Sequence, residues 1–122
     1  MIEGVEKMQN REDVIEYCLS LEGTYEDYPF RDANWTIMRH SGNKKMFAAI
    51  YEHFGRIWVN VKCEPNLAYI QRNTFESVVP AYHMNKLHWN SIILDGTIPK
   101  DEIKTMIEDS YERTKPKKNT KN

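Results

Sequence analysis

Arg56-Ile57-Trp58-Val59-Asn60-Val61-Lys62 alternates without interruption. Ile57, Val59 and Val61 fall on one side of an extended chain, and Trp58, Asn60 and Lys62 fall on the other. That is the period of two a half-buried strand needs. The aliphatic side is predicted to meet helices. Upstream, Asn34 to His40 reads as another strand, with Trp35, Ile37 and Arg39 on one face and Thr36, Met38 and His40 on the opposite face. Ser41-Gly42-Asn43 supplies a hairpin turn, Lys45 to Tyr51 the return strand, and Glu52-His53-Phe54-Gly55 the next turn. Three strands joined this tightly must run antiparallel.

Helical periodicity flanks this block. Asn10, followed by Asp13, reads as an N-cap, and Val14, Tyr17, Cys18 and Leu21 then recur at i, i+3, i+4 and i+7 until Gly23. Residues 24–33 read as a connection, with Phe30 tucked into the core. Pro65 suits the first turn of a second helix, with Glu64 near its start and Asn73 or Thr74 at its end. Phe75 to Val79 leads into a shaped segment, and Ser91 to Leu94 is a further strand ended by Asp95-Gly96. Pro99 opens a last helix with the stripe Ile103, Met106, Ile107 and Ser110/Tyr111. The expected fold is α+β, a two-layer sandwich with helices packed on one face of an antiparallel sheet. The other sheet face should stand at least partly open to solvent.

A chain of 122 residues with 40% hydrophobic and 29% charged content suits one domain with its own core. The domain is expected over 10–114, with a loose lead at 1–9 and a disordered basic tail at 115–122. No apolar run approaches the length of a membrane helix and no secretory h-region is visible, so the expected setting is cytoplasmic, away from membranes. Cys18 and Cys63 fit neither a disulfide framework nor a metal motif and are read as buried free thiols. The net charge of −1 conceals an asymmetry. Residues 1–30 carry 8 acidic and 2 basic side chains, whereas 31–91 carry 8 basic, 4 acidic and all four histidines.

The run Pro80-Ala81-Tyr82-His83-Met84-Asn85-Lys86-Leu87-His88-Trp89-Asn90 follows neither the helical nor the strand period. It reads as a surface element held against the sheet, the kind of segment that carries function on a rigid scaffold. With Arg11-Glu12-Asp13-Val14, Tyr17-Cys18-Leu19-Ser20-Leu21, Pro29-Phe30, Lys45-Met46-Phe47-Ala48, Lys62, Pro65 and Ser110-Tyr111, it resembles the MmcQ/YjbR family of small bacterial proteins over roughly residues 8–114. The resemblance implies a CyaY/frataxin-like sandwich and a double-wing type of DNA binding. Ala81 departs from the glycine the family commonly places after the proline, so the turn there is expected to differ.

Duplex DNA is accordingly the expected partner, bound weakly and with strong salt dependence because the basic middle is modest and the pI is about 6.4. Lys44, Lys45, Arg56, Lys62 and Lys86 are candidates for phosphate. His83, Asn85, His88 and Asn90 are candidates for phosphate, sugar or base edges. Trp58 and Tyr82 could stack on an unpaired base. A second expectation is a protein-interaction module that uses the acidic first helix or the open sheet face. A third is a small-ligand site at His83, His88 and Trp89. The chain shows no nucleophile elbow, phosphate loop or metal-ligand spacing. The sequence therefore predicts no catalytic residue, metal or cofactor, and no enzyme activity.

Overall fold

The computed structural model describes residues 7–117. In chain order the elements are α1 (Arg11–Ser20), β1 (Thr24–Asp27), β2 (Thr36–His40), β3 (Met46–His53), β4 (Arg56–Lys62), α2 (Pro65–Thr74), β5 (Val78–Pro80), β6 (Trp89–Ile93) and α3 (Lys100–Thr114). The six strands form one antiparallel sheet in the order β1-β2-β3-β4-β6-β5. The α+β sandwich is as the patterning predicts. Residues 1–6 of the predicted lead and 118–122 of the predicted tail lie outside the described residues.

Alternation sorts the sheet into two faces. Val59 and Val61 of β4, Ile50 of β3, Met38 of β2 and Ile92 of β6 are buried with Val14 and Cys18 of α1 and Ile103, Met106 and Ile107 of α3. Met8 joins this core at 2% exposed, so the predicted loose lead is anchored just before α1. Local chemistry fixes the helix starts. The Asn10 side chain accepts from Asp13 N, and the Glu64 side chain accepts from Leu67 N ahead of Pro65. At the β3–β4 turn, Phe54 (φ 52°) and Gly55 (φ 75°) both sit in the left-handed region, the geometry of a two-residue hairpin that matches strand twist.

One irregularity shapes the sheet. The β2–β3 register slips between Met38 and Arg39, which leaves Phe47 as an extra residue. Ser110 of α3 repairs the frayed end. Its hydroxyl donates to Phe47 O (2.7 Å) and accepts from Lys62 N (2.9 Å). Beside it, the buried His40 ring lies within 2.9 Å of Thr114 Oγ1.

Two expectations are corrected. Thr24–Asp27 is an edge strand rather than part of a loop, paired along β2 from Thr24↔His40 to Asp27↔Ile37. It shows no apolar alternation; backbone pairing holds it in place, with the Arg39–Asp27 ion pair (2.7 Å) and the Thr24 hydroxyl donating to Cys18 O (2.9 Å). Phe30 does not enter the core. It is 55% exposed and stands edge-on to Trp35 on the opposite sheet face.

Candidate functional site

The sheet face turned away from the helices is built on Ile37, Ala49, Tyr51, Trp58, Asn60 and Ser91, the residues that alternate with the core set. A sheet face with polar side chains at its centre needs partners for them. Here those partners belong to the segment that follows β5. Tyr51 Oη donates to Asn60 Oδ1 (2.8 Å), the Ser91 hydroxyl donates to the same oxygen, and Asn60 Nδ2 donates to Tyr82 O (2.9 Å). Ser91 Oγ in turn accepts from Tyr82 N (3.0 Å). Asn60 and Ser91, buried and braced by Tyr51, thus clasp the Tyr82 backbone at both its N–H and its C=O and lay the 81–88 segment back across the sheet.

Burial pushes the Tyr51 phenol up from its ordinary 10.0 to about 12, against the lowering effect of its bonds to Ser91 and Asn60. The folded state therefore favours the neutral phenol. That contribution is complete below pH 10 and is lost as the pH rises towards 12. Cys18, raised by burial from 9.0 to about 12, acts in the same direction. Denaturant titrations at rising alkaline pH should show falling stability, and Tyr51→Phe should make that fall shallower.

An aromatic sheet surrounds the clasp. Trp35 stacks on Tyr51 (4.1 Å, 20° between planes), His53 stacks on Tyr82 (4.2 Å, 29°), and His83 lies against Tyr82 (4.0 Å). Trp58 stands edge-on to His53 (4.7 Å, 84°), and its buried Nε1 has no acceptor among the described residues. His83 reaches its place with φ 62°, a left-handed conformation a histidine adopts only where the surroundings hold it there. Ala81 needs no such conformation, so the strained position of this turn lies two residues beyond the alanine.

Beside the clasp opens a cavity of about 410 Å³. Ile37, Ala49 and Met46 form its floor, Phe30 and Trp35 its walls, and His83 and Met84 close it on the side of the loop. Asp32 lies at its rim, with Oδ1 accepting from Asn34 N (2.9 Å). Arg11 of α1 fastens the wall from the far side of the sheet. Its guanidinium donates to Asn34 O (2.6 Å), Asn34 Oδ1 (2.9 Å), Thr36 Oγ1 (3.1 Å) and Ile50 O (3.2 Å).

The residues proposed for DNA do not form one surface. Lys44 and Lys45 are exposed on the β2–β3 hairpin, at the same end of the sheet as Lys62. Arg56 is exposed at the opposite end, beyond the β3–β4 turn. His83, Asn85, Lys86 and His88 lie exposed on the loop. Lys86 Nζ is turned back to Ala81 O (2.8 Å), and Asn85 Oδ1 is occupied by Leu87 N (2.9 Å) and His88 N (3.2 Å). Asn90 corrects the expectation outright. It is wholly buried under α2, where Oδ1 accepts from Arg72 Nε (2.6 Å) and Nδ2 faces Gln71 Oε1 (3.3 Å). It shares the helix side with its partner Val61, so no base edge can reach it.

The sequence names none of the wall and floor residues Phe30, Asp32, Met46 and Ala49, nor the clasp of Tyr51, Asn60 and Ser91, as part of a binding site, and it assigns Phe30 to the core. A signal was present in Asn60 and Ser91, polar residues inside strands. Ala49 is the other clue, since a small side chain between bulky neighbours leaves room above the sheet. Among the described residues, no group of three or more His, Cys, Asp or Glu side chains could hold a metal ion. No described helix is long and apolar enough to cross a membrane.

Known proteins are similar to this chain in sequence and in fold. Residues 19–113 match the YjbR family model. The uncharacterised protein YyaQ of Bacillus subtilis is 37% identical over 119 residues, covering 88% of this chain and all of that protein. The uncharacterised protein YjbR of Escherichia coli K12 is 28% identical over 101 residues, 83% of each chain. A Deinococcus radiodurans protein with a DUF419 domain superposes with a TM-score of 0.79 at 26% identity, over 88% of this chain and 79% of its own. A Pseudomonas syringae protein superposes with a TM-score of 0.77 at 31% identity, over 86% and 98%. The chain belongs to the YjbR family.

Proposed function

We propose that this protein is a non-enzymatic binding domain whose sheet-face cavity takes the compact apolar portion of a small molecule. The observation that carries this reading is the concavity itself. A hollow of about 410 Å³ is walled by Phe30 and Trp35 and closed by His83 and Met84 of a loop that buried hydrogen bonds hold in place. Largely apolar hollows with a few directed polar groups are the usual form of a small-molecule site. The expected ligand site at His83, His88 and Trp89 is thereby moved. His83 keeps its part, while His88 and Trp89 do not line the cavity. An amide-shift titration with indole, a neutral planar probe, should perturb Trp35, Ala49 and His83. Ala49→Leu, which fills the floor, should abolish the response. Unmoved cavity resonances in the unmodified protein would reject the reading.

Weak duplex-DNA binding is a second reading, and one specific feature supports it. Asn43 Nδ2 donates to Thr114 O (3.0 Å), which brings the end of α3 to the β2–β3 hairpin. Lys45, Arg113, Lys115 and Lys117 thus border one groove. Its charge is partly offset, because Arg113 pairs with Asp109 (2.8 Å) and Lys115 with Glu112 (2.9 Å). Anisotropy of a labelled duplex should rise at low salt and collapse at moderate salt. A flat titration at low salt would remove this reading. Two buried free thiols, Cys18 and Cys63, support a reducing, cytoplasmic setting.

A further inference from the structure

The cavity has a charge preference as well as a shape. Among the described residues that line it, Asp32 bears the formal charge and no lysine or arginine contributes. Arg39, whose partner Met46 lies on the cavity floor, has its guanidinium drawn away to Asp27 at 2.7 Å. An anionic ligand entering here would meet a carboxylate and find no cation within the lining.

The walls favour the opposite sign. Phe30 and Trp35 stand 6.5 Å apart with 80° between their planes, so two aromatic rings make a corner. His83 adds a third ring 6.3 Å from Trp35. The ring quadrupole attracts a cation placed over an aromatic face, most strongly for tryptophan and where water is displaced. Met46 and Met84 add soft, polarisable contacts suited to methyl groups. Asp32 stands at the mouth as a counter-charge, and its Oδ1 is fixed by Asn34 N. A compact alkylammonium group has this pattern of needs. Its charge is spread over methyl groups, it offers little hydrogen bonding, and it is only loosely hydrated.

We infer that the Phe30–Trp35–His83 corner with Asp32 at its mouth binds a free small molecule carrying a compact alkylammonium group. The inference rests on the ligand-pocket reading and narrows it to one chemical class.

Choline and 3,3-dimethylbutan-1-ol, its uncharged isostere, have nearly the same shape and separate the two claims. Amide-shift titrations of the full chain should give choline about tenfold tighter binding than the isostere, in the range of cation–π and counter-charge effects together. Shifts should centre on Trp35, Ala49 and His83. Asp32→Asn, a change at an exposed position that keeps an acceptor for Asn34 N, should narrow the gap several-fold by weakening choline far more than the isostere. Equal binding of choline and isostere would overturn the charge preference and leave the pocket standing. Cavity resonances that respond to indole but not to choline would overturn the alkylammonium assignment alone. Silence towards all three probes would overturn both.

Discussion

Phe47→Ala should lower the unfolding free energy by about 4 kcal/mol, within the range for truncating a fully buried phenylalanine. Phe47 has no exposed surface, and it packs between the His40 ring at 5.1 Å and the Tyr111 ring at 5.5 Å. Its position in the β-bulge makes collapse of the resulting cavity difficult. The backbone on either side is pinned, because Phe47 O accepts from Ser110 and Ala48 is paired with both neighbouring strands. A loss of this size is a large share of the total stability of a small domain. Urea titration should show a lower midpoint with an unchanged slope. A loss below about 1 kcal/mol would mean that the site repacks and that the bulge yields readily.

Asn60→Ala should cost about 3 kcal/mol, because it orphans several buried groups at once. The Asn60 carbonyl is the shared acceptor for Tyr51 and Ser91, and its amide holds Tyr82 O. Water cannot readily replace it beneath the folded-back loop. The effect should also be local. Hydrogen exchange at the Tyr82 amide, which donates to Ser91 Oγ, should accelerate more than exchange in β3. Ser91→Ala removes one spoke of the same network and should cost less. If Asn60→Ala leaves Tyr82 exchange unchanged, the clasp does not hold the loop.

The fold was legible where a period is strong. The 56–62 alternation correctly sent Val59 and Val61 to the helices, and the stripe Ile103, Met106, Ile107 and Ser110 lies buried in α3. Pro65 and Asn10 marked helix starts because capping depends on a few neighbouring residues. β1 was invisible for the complementary reason. Thr24-Tyr25-Glu26-Asp27 is a strand because β2 lies beside it: Thr24 and Tyr25 favour an extended chain, but Glu26 and Asp27 offset them and no alternation marks a buried face. Phe30 misled because an apolar residue after a proline suggests burial, whereas this one builds a wall that needs an exposed side.

The site was half legible. The aperiodic 80–90 run was read as a shaped element against the sheet, and residues 81–88 do lie back across it, with His83 lining the cavity. Asn90 was placed on the wrong side because the start of β6 was not recognised. Once Trp89–Ile93 is a strand, alternation carries Asn90 to α2. The dispersal of Arg56 from Lys44 and Lys45 follows from hairpin geometry, since successive turns lie at opposite ends of a sheet. A charge count along the chain cannot see that separation.

Among the described residues, the order of the strands leaves β1 and β5 at the two rims of the sheet, and both are poor templates for another chain. At one rim β1 offers only four residues, and the exposed Glu26 places a charge near its end that repels a like neighbour. At the other, β5 offers three and ends in Pro80, which has no amide proton to give. Addition of a foreign strand, the first step towards fibrillar stacking, therefore finds little to grip on either flank. The aromatic hollow can stay uncovered on the sheet face without making the molecule prone to coalesce through its edges.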